Sequence, residues 1–122
     1  PHRQEFKPMR DCLFCQIVKG DIPAGRVYED EDIIAFNDIS PQAPTHVLII
    51  PKAHIATMND LTDEHAALYG RLALTAQHIA KDLGLADDGY RVVMNCNKHG
   101  GQEVYHIHLH LLAGRQLTWP PG

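Results

Sequence analysis

No apolar run in this 122-residue sequence approaches the roughly 18 residues that a membrane-crossing helix needs, so a helical membrane protein is excluded. Basic residues are few: 11 Lys and Arg stand against 15 Asp and Glu, for a net charge of -4. Phosphate backbones are held by clustered cations, so no nucleic-acid partner is expected, while small anionic ligands remain compatible. Cysteine is limited to three residues, an odd count with no leader-like segment ahead of it. That speaks against a secreted disulfide framework and for a reducing, cytoplasmic setting. Internal repeats and low-complexity stretches are also missing. What remains is ordinary, with 44% hydrophobic and 21% charged residues in a chain long enough for one domain with its own core. That domain is expected over 11–122. Residues 1–10 are too polar to join it and read as a disordered segment or an expression remnant, with Met9 as the candidate natural start.

Hydrophobic spacing gives the elements. From Asp11 to Lys19, Leu13, Phe14, Ile17 and Val18 recur at helical intervals before Gly20, which predicts a short helix. Arg26 to Glu29 and Ile33 to Asn37 are β-rich runs around the acidic turn Asp30-Glu31-Asp32 and predict a hairpin. Ser40-Pro41-Gln42-Ala43-Pro44 cannot be a ladder-paired strand, because its prolines remove donors, and a third strand is expected at His46 to Ile50. Thr62 is placed to cap a long helix carrying Asp63 and Glu64 in its first turn and Lys81 near its end. Leu68, Leu72, Ala76, Ile79 and Leu83 form its apolar stripe, and Gly84 follows as a C-terminal cap. Tyr90 to Asn95 and Val104 to Leu112 predict two more strands around the polar, glycine-rich connection 97–102. Strands in succession with one long helix, and no βαβ alternation, indicate an α+β domain with a largely antiparallel sheet.

Histidine is the residue in excess, with nine copies. From Tyr105 to Leu112 strict alternation would set His106, His108 and His110 on one strand face and Ile107, Leu109 and Leu111 on the other. A merely histidine-rich surface strand is the plain alternative, but ordered imidazoles beside an apolar face need partners. The first and third rings would lie about 13 Å apart on a strand rising roughly 3.3 Å per residue, against metal–nitrogen bonds of about 2 Å. One ion shared by all three is therefore disfavoured. A phosphoester suits the row better, since one ring can attack phosphorus while a neighbour donates to its oxygens. His2, His65, His78 and His99 read as exposed surface residues, and Cys96 as packing.

The pattern His-φ-His-φ-His-φ-φ, with φ apolar, is present from His106 to Leu112 and resembles the signature of the histidine triad (HIT) superfamily. Phe36 to His46, Ile50-Pro51-Lys52, Gly100-Gly101-Gln102 and the tail Gly114 to Gly122 are similar to the Hint branch, and the similarity covers nearly everything from Asp11 onward. The resemblance implies an α+β, HIT-like fold with a five-stranded antiparallel sheet, one long and one short helix, and a homodimer in which Trp119 reaches the partner's site. It implies a purine nucleoside 5′-phosphoramidate hydrolase. Such an enzyme cleaves the P–N bond of AMP-lysine or adenosine 5′-phosphoramidate, or of GMP counterparts, through a covalent nucleotidyl-histidine and needs no cofactor for catalysis.

By the same resemblance His108 is the nucleophile. It must then be neutral with its attacking nitrogen unprotonated, so its other ring nitrogen needs a fixed acceptor such as a backbone carbonyl. His110 is implied to touch a phosphate oxygen, His46 to support the triad and help a proton reach the leaving amine, and His106 to complete the set. Asn95, Gly101, Gln102 and Glu103 are implied near the α-phosphate, with Gly100 and Gly101 letting backbone N–H groups approach an anion. Without the resemblance those glycines read as an ordinary turn. Asp38 is implied to accept from the ribose hydroxyls, and Leu13, Phe14, Ile17, Phe36, Asn37 and Ile39 to form the nucleoside pocket. From the residues alone, Phe14, Ile17 and Phe36 read as core.

Two positions depart from the pattern. Many Hint proteins carry serine after Gly-Gly-Gln, where this chain has Glu103. Its carboxylate would act either as a buried general acid or, the reading preferred, as a partner for a cationic leaving group such as a lysyl amine. The second is Cys12-Leu13-Phe14-Cys15. Branches of the superfamily with such a pair bind zinc through it, a histidine after the Pro-Lys turn and the first triad histidine. Here those are Cys12, Cys15, His54 and His106, a set suited to a closed structural site, with two small buried thiols as the equal alternative. The rival functions are a dinucleoside polyphosphate hydrolase with the same nucleophile and a nucleotide-binding regulatory module with residual activity. The Trp119-Pro120-Pro121-Gly122 tail favours Hint.

Overall fold

Helix α1 (Leu13–Lys19) begins where Cys12 takes the cap position, its sulfur accepting the Cys15 N–H at 3.4 Å, and ends at Gly20 in the left-handed conformation (φ 89°). These and all other coordinates come from a computed structural model, which describes residues 11–122. The expectation for residues 1–10 lies outside the described residues. Strands β1 (Arg26–Glu29) and β2 (Ile33–Asn37) form the predicted hairpin, its turn tied by the Asp30 carboxylate, which accepts the N–H groups of Asp32 and Ile33. Strand β3 (Thr45–Pro51) runs one residue beyond the expected span at each end. With β4 (Arg91–Val93) and β5 (Leu109–Ala113) it completes a five-stranded antiparallel sheet of order β1-β2-β3-β5-β4.

Alternation along these strands sends side chains to two opposite layers. On one face Ile33, Ala35, Val47, Ile49, Leu109 and Leu111 pack against helix α2 (Ala66–Asp82) through Leu72, Ala76 and Ile79. On the other, Ile34, Phe36, Leu48 and Ile50 pack against Phe14, Cys15 and Ile17 of α1. A 3-10 turn, Asp63–His65, leads into α2, and there the His65 imidazole, half-buried rather than exposed, accepts the Thr62 N–H at 3.0 Å. Leu83 was expected in the buried stripe but is 49% exposed, because α2 stops at Asp82 and the chain turns at Gly84 (φ 74°). No helix among the described residues is long and apolar enough to cross a membrane.

Both C-terminal strands are shorter than the sequence predicts. The span 90–95 pairs only over Arg91–Val93, and the span 104–112 begins pairing at Leu109. Upstream of Leu109 the backbone bonds elsewhere: Ile107 N–H donates to the Ile55 carbonyl, and the His106 carbonyl is taken by the His108 ring. The connection 97–102 contains a one-turn helix, α3 (Asn97–Gly100). Side-chain alternation persists all the same. Ile107, Leu109 and Leu111 are buried on the α2 side, while Phe14 of α1 meets the rings of His106 and His108 edge-on at 5.9 and 5.1 Å.

Candidate active site

A cleft of about 680 Å³ opens between α1, the loop after β2, and the chain running into β5. Its apolar lining includes Phe14 and Ile17 from α1, Phe36 from β2, and the outward-facing Leu13 and Ile39. Asn37, Asp38, His46, Asn95, His108 and His110 supply its polar lining. Phe14, Ile17 and Phe36 are at most 5% exposed, so they are core residues and cleft wall at once. Ile39 is 95% exposed, an apolar side chain with most of its surface in solvent.

Backbone groups set the tautomers of His108 and His46, and His46 in turn sets that of His110. His108 Nδ1 lies 2.8 Å from the His106 carbonyl and donates to it, which leaves Nε2 with a free lone pair. His46 Nδ1 accepts the Gln42 N–H at 3.0 Å, so its proton is on Nε2, 2.9 Å from His110 Nδ1. His110 Nδ1 therefore accepts, and His110 Nε2–H is the ring's free donor. The Asp38 carboxylate stands 3.5 Å from His46 Nε2 and accepts the Ser40 N–H at 2.8 Å. Asp38, His46 and His110 thus group closely enough to suggest a metal site, but the directed bonds make them a hydrogen-bonded relay.

Burial is the leading cause that holds His46 and His108 below the ordinary imidazole range, with Asp38 opposing it in both. It brings His110 down to about 4, helped by the neighbouring His108 and His46. The unfolded chain protonates this ring near 6.5, so the folded state gains stability from neutral His110 above that pH and loses it as pH falls through about 4. The midpoint of thermal unfolding is expected to fall between pH 6.5 and 4, and a His110→Gln variant should show a shallower fall over that window.

Not every expected residue reaches the cleft. Gln102 is buried, and its side chain is spent on the backbone: Nε2 donates to the carbonyls of Ala56 and Val104, and Oε1 accepts the Asn97 N–H. It braces α3 and does not line the cleft. Gly101 does line it, but its N–H is committed to the Lys98 carbonyl, so the expected approach of that amide to an anion is not available. Glu103 is exposed at the rim, which removes the buried-acid alternative. His106, grouped by sequence with the catalytic residues, is fully buried and turned away from the cleft. Trp119 is 80% exposed outside its own chain's cleft, with the Arg91 guanidinium over its ring at 5.9 Å. The Gln42 N–H escaped sequence reading. Its one signal was the pair of prolines that keeps 40–44 out of a ladder.

Behind the cleft, Cys12, Cys15, His54 and His106 converge, their ligand atoms all within 4.8 Å of one another. Cys12 Sγ and Cys15 Sγ lie 3.4 and 3.5 Å from His106 Nδ1, while Cys15 Sγ and His106 Nδ1 each lie 3.3 Å from His54 Nδ1. Tetrahedral zinc with bonds of about 2.3 Å to sulfur and 2.0–2.1 Å to nitrogen would place S···N pairs at about 3.5 Å and N···N pairs at about 3.3 Å. His106 Nε2 donates to the Pro51 carbonyl at 2.7 Å, which leaves Nδ1 unprotonated and aimed into the cluster. Burial, then the neighbouring Cys12 thiol, push the Cys15 thiol up to about 12, and a cation among these atoms would reverse that. The donor set fits a closed, four-coordinate metal site.

A histidine-lined cleft on a five-stranded antiparallel sheet, with His108 and His110 of a His-x-His-x-His segment in its wall, defines a class that comparison with known proteins makes explicit. Residues 19–117 match the HIT domain. The chain is 54% identical over 107 residues to the purine nucleoside phosphoramidase of Escherichia coli (strain K12), covering 88% of this chain and 90% of that one. It is 51% identical over 112 residues to the 14 kDa zinc-binding protein of Zea mays, covering 90% and 87% of the two chains. Among solved structures, a HIT family hydrolase from Legionella pneumophila Philadelphia 1 superposes with a TM-score of 0.91 at 60% identity, over 92% of this chain and 100% of that one. The chain belongs to the HIT family. It is a HIT-family hydrolase.

Proposed function

We propose that this chain hydrolyses purine nucleoside 5′-phosphoramidates to nucleoside monophosphates through a nucleotidyl-His108 intermediate. The observation that carries the reading is the locked His108 ring, with Nδ1–H on the His106 carbonyl and the Nε2 lone pair left for attack in a cleft lined by both apolar and polar side chains. Nε2 bonds to the α-phosphorus as the P–N bond breaks, and the departing amine takes up one proton that originates from solvent, delivered directly or by the adjacent His46–His110 pair when it carries one extra proton and returns to neutral. Water then displaces His108 from phosphorus, releasing the nucleoside monophosphate and a proton and restoring the neutral ring. His110 Nε2–H and Asn95 supply donors to the phosphoryl oxygens, and Leu13, Phe14, Ile17, Phe36, Asn37 and Ile39 enclose the base and sugar. The Escherichia coli relative's activity points the same way. Adenosine 5′-phosphoramidate is expected to yield AMP much faster than diadenosine polyphosphate does, by chromatography of the products; the reverse order would favour the polyphosphate hydrolase.

Asp38 would accept from the ribose hydroxyls. Asp38→Ala is expected to lower kcat/KM about 10- to 100-fold, as for hydrogen bonds to a charged group. The check is that the preference for ribo- over 2′-deoxyribo-substrates disappears with it. Glu103 would face a cationic leaving group from the exposed rim. Glu103→Ser is expected to reduce the preference for lysyl over neutral-amine phosphoramidates by about 2- to 5-fold, in line with an exposed ion pair, when the two substrates are compared by kcat/KM.

The cluster Cys12, Cys15, His54 and His106 would hold one structural zinc, away from the cleft, with no catalytic step passing through it. The working unit would be a homodimer of the 11–122 domain, in which the exposed Trp119 reaches a partner's cleft. Its three free thiols suit a reducing cytoplasm.

A further inference from the structure

We infer that the elbow Gly114-Arg115, where the chain leaves β5, is a positioning element that sets the tautomers of His46 and His110 from outside the cleft. The inference rests on the reaction proposed above only for its kinetic consequence. Both histidines depend on one donor. The Gln42 N–H occupies His46 Nδ1, His46 Nε2–H occupies His110 Nδ1, and His110 Nε2 is thereby left as the donor. If the Gln42 N–H moved out of reach, His46 could carry its proton on either nitrogen, and His110 could present a lone pair where an anion needs a donor.

Nothing in a ladder fixes that N–H, because 38–44 lies outside every strand. The segment is held by discrete contacts instead. Gln42 Nε2 donates to the Ser40 carbonyl at 3.0 Å within the loop, and Asp38 N–H donates to the His46 carbonyl of β3 at 3.0 Å at the loop's start. Ala43 is buried, and next to it the elbow holds the loop on the Gln42 side. Arg115 Nη2 donates to the Gln42 carbonyl at 3.0 Å while its Nη1 donates to the Gln116 carbonyl at 3.2 Å, so one planar guanidinium spans the loop and the tail. Beside it Gly114 sits at φ 100°, and a Cβ there would lie 2.7 Å from Pro44 Cβ, so the absence of a side chain lets the loop seat against the end of β5. The elbow thus grips residue 42 and residue 44 on either side of Ala43.

Imidazole nitrogen spectra of uniformly ¹⁵N-labelled, ligand-free protein test this directly. In the wild type, His46 and His110 should each show one protonated Nε2 and one unprotonated Nδ1. In Arg115→Ala both should move toward tautomer-averaged shifts, while His108, anchored on the His106 carbonyl, should not. The loss of about one hydrogen bond's stabilisation predicts kcat for adenosine 5′-phosphoramidate lower by about 3- to 10-fold with KM changed little, and Arg115→Lys should restore part of both readouts. Gly114→Ala should act in the same direction and more strongly. Wild-type His46 and His110 spectra in both Arg115→Ala and Gly114→Ala would overturn the inference. So would averaged tautomers with undiminished kcat. A tautomer shift in a protein whose wild type never turns over phosphoramidate would support the coupling and count against the reaction.

Discussion

Replacing His108 with alanine is expected to lower phosphoramidate turnover by on the order of 10⁴-fold or more, since a covalent route loses its attacking atom and the rest of the site can only bind. That corresponds to about 5.5 kcal/mol of barrier. The fold should tolerate the change. His108 forms cleft wall, and its ring bond runs to the carbonyl of a residue two places back, so the one distant element it touches is α1, through the edge-on contact with Phe14. Nucleotide affinity should survive within roughly tenfold, because the apolar wall and Asp38 remain. Single-turnover kinetics beside AMP titration by calorimetry separate the two effects. Retained turnover at a few per cent of wild type would mean that another group attacks phosphorus.

Cys15→Ser is expected to have the largest effect on stability. Purified wild type should contain about one zinc per chain by elemental analysis, and the variant little. A ligand bound only to the folded state adds its binding free energy to stability, so the variant, or wild type stripped by a strong chelator, should unfold at least about 10 °C lower. The S···N and N···N separations of 3.3 to 3.5 Å already suit a tetrahedral ion. His106 Nδ1, left unprotonated by the Pro51 carbonyl, is a lone pair that otherwise has only thiol or imidazole protons to meet. The cluster also abuts the chemistry, because the His106 carbonyl is the acceptor that holds the His108 ring. Zinc-free protein with the same unfolding midpoint in wild type and Cys15→Ser would refute the assignment.

The hairpin and the long helix were legible because their causes are local: alternation around an acidic turn, and a stripe at helical spacing closed by Gly84. The sides taken by His106, Ile107, His108 and Leu109 were legible for the same reason. The start of β5 was not, since it depends on Ile107 bonding to Ile55, fifty-two positions away in sequence. Nor can spacing alone bring His54 and His106 to Cys12 and Cys15; sheet topology does that, and only resemblance to a family anticipated it. The groups that assign the tautomers, the carbonyls of Pro51 and His106 and the N–H of Gln42, are backbone atoms and leave no mark on residue type. Gln102 was placed near phosphate only by the family resemblance, and its bracing of the one-turn helix before it runs through backbone bonds that its residue type does not announce.

The covalent intermediate is the most exposed of these proposals, and trapping it is the most direct test. Wild-type protein mixed with excess adenosine 5′-phosphoramidate, quenched within milliseconds in alkaline denaturant to spare the labile P–N bond, and digested for mass spectrometry should carry one adenylyl group, on His108. Adenylate on any other residue, or its absence during a demonstrated pre-steady-state burst of released amine, would contradict attack by His108.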